Sequence, residues 1–213
     1  MYDHIKDEWG KLMQDHDFRT NFIIGASYCL IFPFKSEDYF RWIQKRENGL
    51  PLNDVVLDAL PPTDVSVAIF TILYIFSLFT IYRVSMSPKR FLWLLWAFNI
   101  ETTFRFLCIY FVPLEPPHNL INLVDPIAER LVYGKNTIIT KDLFFSGHTS
   151  TMTLANFFLP TSKERTICVF FTVSLAFLLL LQHVHYTIDV VAAPFFTLFS
   201  IYLASKVMSV KFA

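Results

Sequence analysis

The stretch FFSGHTST, Phe144–Thr151, places two serines, a glycine, a histidine and two threonines inside a long apolar run. The 213-residue chain around it is 54% hydrophobic, with 24 phenylalanines and a mean hydropathy of +0.44. Because soluble domains are about 45–50% apolar, this composition predicts a membrane protein. The polar side chains of this stretch then have two interpretations: they satisfy backbone groups within a helix bundle, or they form part of a functional site.

Charge and cysteine content exclude several classes of partner. The 18 lysines and arginines balance the 18 acidic residues, so net charge indicates no nucleic-acid partner. The three cysteines lie in apolar runs and show no metal-ligand spacing, so neither a disulfide framework nor a zinc site is indicated. The N-terminal segment is polar and lacks the pattern of a cleaved signal peptide.

Six segments are candidates for membrane helices, each of which needs roughly 20 apolar residues. We therefore predict an all-α fold: an integral membrane bundle of six transmembrane helices with one outward-facing catalytic pocket. We expect a single membrane domain, 1–213, with a cytoplasmic N-terminal segment at 1–17 and the six-span core at 18–208. The predicted spans are Phe18–Phe34, Val65–Tyr82, Phe91–Leu114, Leu143–Leu159, Ile167–Leu181 (continued to about His185) and Val190–Met208.

The distribution of basic residues predicts the orientation of this bundle. Lysine and arginine are denser in the connections that lie inside if both termini are cytoplasmic, as in the short loop with Lys89 and Arg90. The longer connections, Lys35–Asp64 and Glu115–Asp142, then lie on the outer, periplasmic or lumenal, face. We therefore expect a multi-pass membrane protein whose two histidine-containing stretches meet at that face.

The second of these stretches is HVHYTID, His183–Asp189. On a helix, His185 and Asp189 are four residues apart and share a face. A carboxylate beside an imidazole fixes its tautomer, raises the basicity of the other ring nitrogen and stabilises a positive charge there. The alternative is a helix cap in which Asp189 only satisfies backbone N–H groups.

The first stretch supplies a second histidine. Ser146 is a good N-cap, Gly147 allows close approach to the backbone, and the N–H groups of a helix start bind anions. His148 would lie in the first turn beside such an anion. Two imidazoles facing one anion are suited to phosphoryl transfer, in which one attacks phosphorus and the other moves the proton of the alcohol.

These residues also carry a resemblance to a known family. KDLFFSGHT (Lys141–Thr149) and HYTIDVVAA (His185–Ala193) resemble the two signature motifs of the sphingomyelin synthase family, a six-span branch of the PAP2-like lipid phosphatase/phosphotransferase superfamily. FRFLCIYFVPLEPP (Phe104–Pro117) is similar to the family's arginine-to-proline motif, and PLND (Pro51–Asp54) is a looser echo of its first-loop motif.

The resemblance implies a role for each matched residue. His185 would be the nucleophile that takes the phosphoryl headgroup, and Asp189 would orient it. His148 would protonate the departing diacylglycerol oxygen and then deprotonate the ceramide hydroxyl. Asp142 matches an acidic position of the motif and is a candidate to tune His148. Arg105 either contacts phosphate or pairs with Glu101 within the membrane.

The sequence departs from family patterns in two places. Thr140 and Lys141 replace the cysteine and glycine usual in the synthases, and Lys141 could bind an anionic headgroup. Leu178 and Leu179 occupy the positions of the serine–arginine pair found in lipid phosphatases of the wider superfamily. The loss of that phosphate clamp favours the synthase-like branch.

The favoured function is transfer of a phospho-headgroup from a glycerophospholipid to a lipid alcohol such as ceramide. The alternatives are a PAP2-type lipid phosphate phosphatase and a non-catalytic lipid-binding membrane protein. Because a phosphohistidine route requires no Lewis acid, we expect neither a metal nor another cofactor. The expected partners are membrane lipids, namely a phospholipid donor and a ceramide- or diacylglycerol-like acceptor.

Overall fold

A computed structural model describes residues 2–123 and 139–212 of the chain. The described residues fold into helices without a β-strand, apart from one isolated bridge between Leu50 and Leu114, so the all-α prediction is confirmed for them. The predicted connection Glu115–Asp142 lies partly outside the described residues, at 124–138. The helices are α1 Tyr2–Gln14, α2 His16–Gln44, α3 Val55–Asp58, α4 Ser66–Ser85, α5 Pro88–Phe111, α6 Gly147–Phe158, α7 Ser162–Leu181 and α8 Thr187–Phe212.

Within the described residues, four helices are long and apolar enough to cross a membrane: α4, α5, α7 and residues Thr187–Val207 of α8. They agree closely with four of the predicted spans, because each is a nearly unbroken apolar run. The finding supports a multi-pass membrane protein. The predicted total of six spans remains a prediction.

The other two predicted spans differ from the expected pattern. The Phe18–Phe34 segment lies within the 29-residue helix α2, whose hydropathy is lowered by charged residues near both ends. The Leu143–Leu159 segment yields only the 12-residue helix α6. Helix α6 begins late because Ser146 caps it, and it ends at Phe158 because Pro160 disfavours helical backbone in the residue before it.

Helix α6 lies at the centre of the bundle and packs against α4, α5, α7 and α8. Met152 of α6 contributes to a fully buried apolar cluster with Ile69 of α4 and with Leu175 and Leu179 of α7. At 1.5 Å per residue, α6 is about 12 Å shorter than the 20-residue helix α7. The short central helix leaves room for a cavity above its first turn.

At the end of the bundle where α6 begins, Gln182, which follows α7, hydrogen-bonds to the start of α4. Its side-chain oxygen accepts the Val65 N–H at 3.1 Å, and its amide nitrogen donates to the Ser66 hydroxyl at 2.7 Å. The Thr63 N–H donates to the Leu181 carbonyl at 2.9 Å. These contacts fix the end of α7 against the start of α4, so the segment that carries His185 leaves from a rigid point.

Candidate active site

The His185–Asp189 pair forms at the start of α8. His185 precedes the helix, whose first residue is Thr187, and Asp189 lies in its first turn. Asp189 Oδ2 accepts the Tyr186 N–H at 3.0 Å and lies 3.3 Å from His185 Nδ1. The carboxylate therefore performs both functions that the sequence left as alternatives: it caps the helix and orients the imidazole. With the proton on Nδ1, His185 Nε2 keeps its lone pair for chemistry.

The pair is deeply buried. The side chains of His185 and Asp189 are 4% and 0% exposed. The second carboxylate oxygen, Asp189 Oδ1, has no hydrogen-bond partner among the described residues. A buried carboxylate with an unsatisfied oxygen is costly, and such groups concentrate at functional sites.

His148 meets His185 across the cavity. It is the second residue of α6, and its ring centroid lies 6.2 Å from that of His185, with the planes at 67°. The Phe70 ring on α4 lies 6.2 Å from His148 on another side. The fold thus brings two histidines that are far apart in the sequence within reach of one phosphoryl group.

Ser146 connects the two helix starts that carry this chemistry. Its hydroxyl accepts the Thr149 N–H at 3.4 Å as the N-cap of α6, and its own N–H donates to the Asp189 carbonyl at 3.1 Å. Ser146 is fully buried. The predicted N-cap therefore also sets the position of α6 relative to α8.

Arg105 of α5 extends to the start of α6. Its guanidinium forms an ion pair with Asp142 at 2.6 Å and donates to the Phe145 carbonyl at 2.9 Å. A Cβ added to Gly147 would lie 2.7 Å from Arg105 Cζ, so the glycine makes room for this guanidinium. The sequence did not predict the Arg105–Asp142 pair, because it offered phosphate or Glu101 for Arg105 and His148 for Asp142.

One cavity of about 370 Å³ holds these groups together. His148, His185, Arg105 and Asp142 line it, and Glu101 of α5 lines it as well. Glu101 is only 4% exposed, and its Oε1 has no hydrogen-bond partner among the described residues. Much of the remaining lining is aromatic, from Phe32, Phe40, Phe98 and Phe106.

Lys141 has a different environment from the one considered in the sequence. Its ammonium forms an ion pair with Glu115 at 2.8 Å and donates to the Arg46 carbonyl. It is not among the described residues that line the cavity. This arrangement joins the connection between α2 and α3 to the connection between α5 and α6.

Sequence reasoning missed Glu101 as a residue of the site and Asp54 as a residue that contacts the start of α8. Glu101 was visible as an ionisable residue in an apolar span, but only as a partner for Arg105. Asp54 was visible as the last residue of PLND, and the structure shows that it contacts Thr187, two residues after His185, at 2.6 Å. A separation of 133 residues hides such a contact from any local pattern.

The site contains histidine and carboxylate side chains, which are common metal ligands. Among residues 2–123 and 139–212, no group of three or more His, Cys, Asp or Glu side chains is arranged to hold a metal ion. The expectation of a metal-free reaction remains a prediction.

Comparison with known proteins supports the class that the fold and site define. Residues 141–206, which contain His148, His185 and Asp189, match the family described as PAP2 superfamily C-terminal. Members of that superfamily are phosphatases or phosphotransferases, so the match supports an enzyme of the lipid phosphatase/phosphotransferase type. It does not distinguish the sphingomyelin synthase-like branch. A search of curated proteins found no match to the chain.

Proposed function

We propose that this protein is a membrane lipid phosphotransferase that moves a phosphorylated headgroup from a glycerophospholipid to a lipid alcohol such as ceramide. The reaction is sphingomyelin synthase-like and passes through a phosphohistidine. The observation that carries the proposal is the pair of imidazoles lining one cavity, one of them held by a buried carboxylate. We further propose that the cavity opens to the outer face and that both termini are cytoplasmic.

The first half-reaction uses both histidines at once. His185 Nε2 attacks phosphorus, a P–N bond forms, and the P–O bond to the diacylglycerol breaks. His148 gives its proton to the departing oxygen. Asp189 stabilises the positive charge that develops on His185, because its Oδ2 lies 3.3 Å from Nδ1.

The second half-reaction reverses these roles with a new alcohol. The neutral His148 takes the proton of the acceptor hydroxyl, whose oxygen attacks phosphorus and breaks the P–N bond. His185 returns to its starting state and His148 again holds a proton. Arg105, whose guanidinium lines the cavity beside Gly147 at the start of α6, stabilises the phosphoryl oxygens in both halves.

The cavity wall fits lipid substrates. Its phenylalanines face the same space as the ionisable groups, so an acyl chain and a headgroup can be accommodated together. Because α6 is shorter than α7, the two histidines lie below the C-terminal end of α7. A lipid can reach them laterally from the bilayer.

A lipid phosphate phosphatase is the second candidate, because the family match covers the whole superfamily and water can replace the acceptor alcohol. The residues at the positions of the phosphatase serine–arginine clamp, Leu178 and Leu179, argue against a phosphatase because they cannot bind phosphate. Leu179 is fully buried in the apolar cluster shared with Met152, and neither Leu178 nor Leu179 lines the cavity. The third candidate, a non-catalytic lipid-binding protein, does not account for the buried His185–Asp189 pair.

The test is an assay of purified protein in mixed vesicles of phosphatidylcholine and phosphatidylethanolamine, labelled in the headgroup, with and without ceramide. We expect labelled sphingolipid only when ceramide is present, and without ceramide no more than one diacylglycerol released per enzyme molecule as the phosphohistidine forms. Release of inorganic phosphate from labelled phosphatidic acid in the same vesicles, at a rate that ceramide does not change, would favour the phosphatase. No product from any donor, in protein shown to be folded, would favour the non-catalytic alternative.

A further inference from the structure

The carboxylate of Asp54 joins the starts of two helices. As the N-cap of α3 it accepts the N–H groups of Val56 and Leu57 at 3.2 Å each. Its oxygens also accept the Thr187 N–H at 2.6 Å and the Thr187 hydroxyl at 2.9 Å. Four donors therefore converge on one side chain of the first outer connection.

Thr187 makes this contact relevant to the chemistry. It is the first residue of α8, two positions after His185 and two before Asp189. The N–H groups at a helix start are a partial positive charge, which a carboxylate stabilises. One side-chain oxygen is enough to cap the four-residue helix α3. The other contacts of the Asp54 carboxylate are with the Thr187 N–H and hydroxyl at the start of α8.

The segment that carries Asp54 is held in place on its other side. The Leu50 N–H donates to the Pro113 carbonyl at 2.9 Å, and the Glu115 N–H donates to the Leu50 carbonyl at 3.1 Å. The Tyr186 hydroxyl donates to the Glu115 carbonyl at 3.0 Å. Asp54 is thus attached to a braced connection, which gives it a fixed point from which to hold α8.

The ionised form of Asp54 is the form these contacts stabilise. Partial burial raises the pKa of the carboxyl, but the hydrogen bonds from Thr187, Val56 and Leu57 outweigh it and leave the pKa below its ordinary value. An asparagine at this position would offer one acceptor oxygen where four donors converge, so the substitution leaves a donor without a partner.

We propose that Asp54 is a positioning residue for the reaction: by fixing the start of α8 through Thr187, it holds His185 and Asp189 in their paired geometry. The proposal rests on the proposed function. Asp54 does not line the cavity and touches no reacting group. Its effect is transmitted through one turn of backbone.

The experiment compares kcat and KM of headgroup transfer, per folded molecule, in the D54N, T187V and T187S variants. We expect kcat of D54N to fall on the order of 10-fold to 100-fold, because a shift of about 1 Å in a reacting group has such an effect. KM should change little, since the cavity wall is intact. T187V should be impaired, and T187S should be close to wild type. Because D54N and T187V both disrupt the same contact, adding T187V to D54N should reduce kcat much less than T187V does in the wild-type protein.

The matched control is D58N, which removes an exposed carboxylate of the same short helix α3. It should leave kcat unchanged. If D54N lowers the melting temperature but leaves kcat per folded molecule at the wild-type value, Asp54 is only a structural cap and the inference is wrong. Equal losses in D58N and D54N would also overturn it.

A second readout does not depend on the reaction. Nitrogen-15 spectra of histidine-labelled protein, with the His185 signal assigned from H185A, report which ring nitrogen carries the proton. We expect the Nδ1–H form in wild type and T187S and a mixture of tautomers in D54N. If wild type transfers no headgroup while this shift occurs, the proposed function fails but the control of His185 by Asp54 stands. Unchanged tautomers in D54N would reject that control.

Discussion

The two ends of helices α6 and α8 have opposite chemistry. At one end, Ser146, His185 and Asp189 are buried polar residues, and one carboxylate oxygen lacks a described partner. At the other end, the same helices contribute Leu154 and Phe158 of α6, with Ile201 and Ala204 of α8, to an apolar cluster.

This difference assigns separate tasks to the two ends. Between helices in a membrane, close van der Waals packing of apolar side chains stabilises the fold, whereas buried polar groups are expensive if left unpaired. The apolar end therefore maintains the packing of α6 against α8. The polar end can hold a buried carboxylate with one oxygen that lacks a described partner because that packing is secure. Substitutions at the two ends should separate activity from stability.

The largest effect is expected for His185→Ala. Without a nucleophile, headgroup transfer should be abolished, while the melting temperature stays close to that of wild type. His183→Ala is the matched control, because its ring nitrogens lie 3.0 and 3.1 Å from the carbonyl oxygens of His118 and Leu60 and its role is structural. Folded H183A should remain active but melt earlier. Normal transfer by folded H185A would show that the nucleophile is misassigned.

His148→Ala should reduce kcat by about 10²–10⁴-fold, the usual effect of removing a general acid. The loss should be smallest for a donor whose leaving group departs without protonation, such as a nitrophenyl phosphodiester. Rates with the natural and the activated donor provide the measurement. An equal loss with both donors would contradict the role of His148 as the acid.

At the apolar end, Phe158→Ala should lower the free energy of unfolding by about 3–5 kcal/mol, since Phe158 is 2% exposed. Denaturant titration in mild detergent gives this value, and kcat per folded molecule should be unchanged. Phe157→Ala is the control, because Phe157 is 39% exposed and should lose much less. A clear fall in kcat per folded molecule of F158A, with little change in its free energy of unfolding, would contradict the separation of the two ends.

Gly147→Ala should reduce kcat on the order of 10-fold to 100-fold. The new methyl group would lie 2.7 Å from Arg105 Cζ and must displace the guanidinium from the start of α6. Gly10→Ala in α1, where an added Cβ meets no atom within 4 Å, should have no effect. Assays of both variants on folded protein decide the point, and an active G147A would mean that the position of Arg105 is unimportant.

The smallest effect concerns pH and Asp54. Because the folded-state pKa of Asp54 is lowered, its stabilising contribution is complete above its unfolded pKa of about 3.9 and is lost as the pH falls through the folded value. The difference in melting temperature between wild type and D54N should therefore shrink as the pH falls below about 3.9. A difference that grows in acid would contradict the direction of the pKa shift.

Local patterns predicted much of this arrangement. The apolar runs predicted α4, α5, α7 and α8, because about 20 consecutive apolar residues are typical of a membrane-spanning helix. The spacing of His185 and Asp189 gave their contact, although His185 lies before the helix rather than within it. Ser146 was predicted as an N-cap from its residue type, and the structure has it there.

Long-range contacts and helix length were beyond local reasoning. Arg105 pairs with Asp142 across 37 positions, and the sequence offered the nearer Glu101 as its partner. The length of α6 was overestimated because hydropathy does not detect a cap at Ser146 followed by a proline at 160. Polar residues within apolar segments thus identified the region of the site, and tertiary packing decided which of them meet.

The central claim, that His185 carries the phosphoryl group, is tested most directly by trapping the intermediate. Protein is mixed with a donor labelled in its phosphate, quenched in base, digested and analysed by mass spectrometry under conditions that preserve phosphohistidine. We predict label on His185 in wild type, its accumulation without acceptor, its rapid loss when ceramide is added, and none in H185A. Headgroup transfer by wild type with no label on His185 at any time would contradict the account.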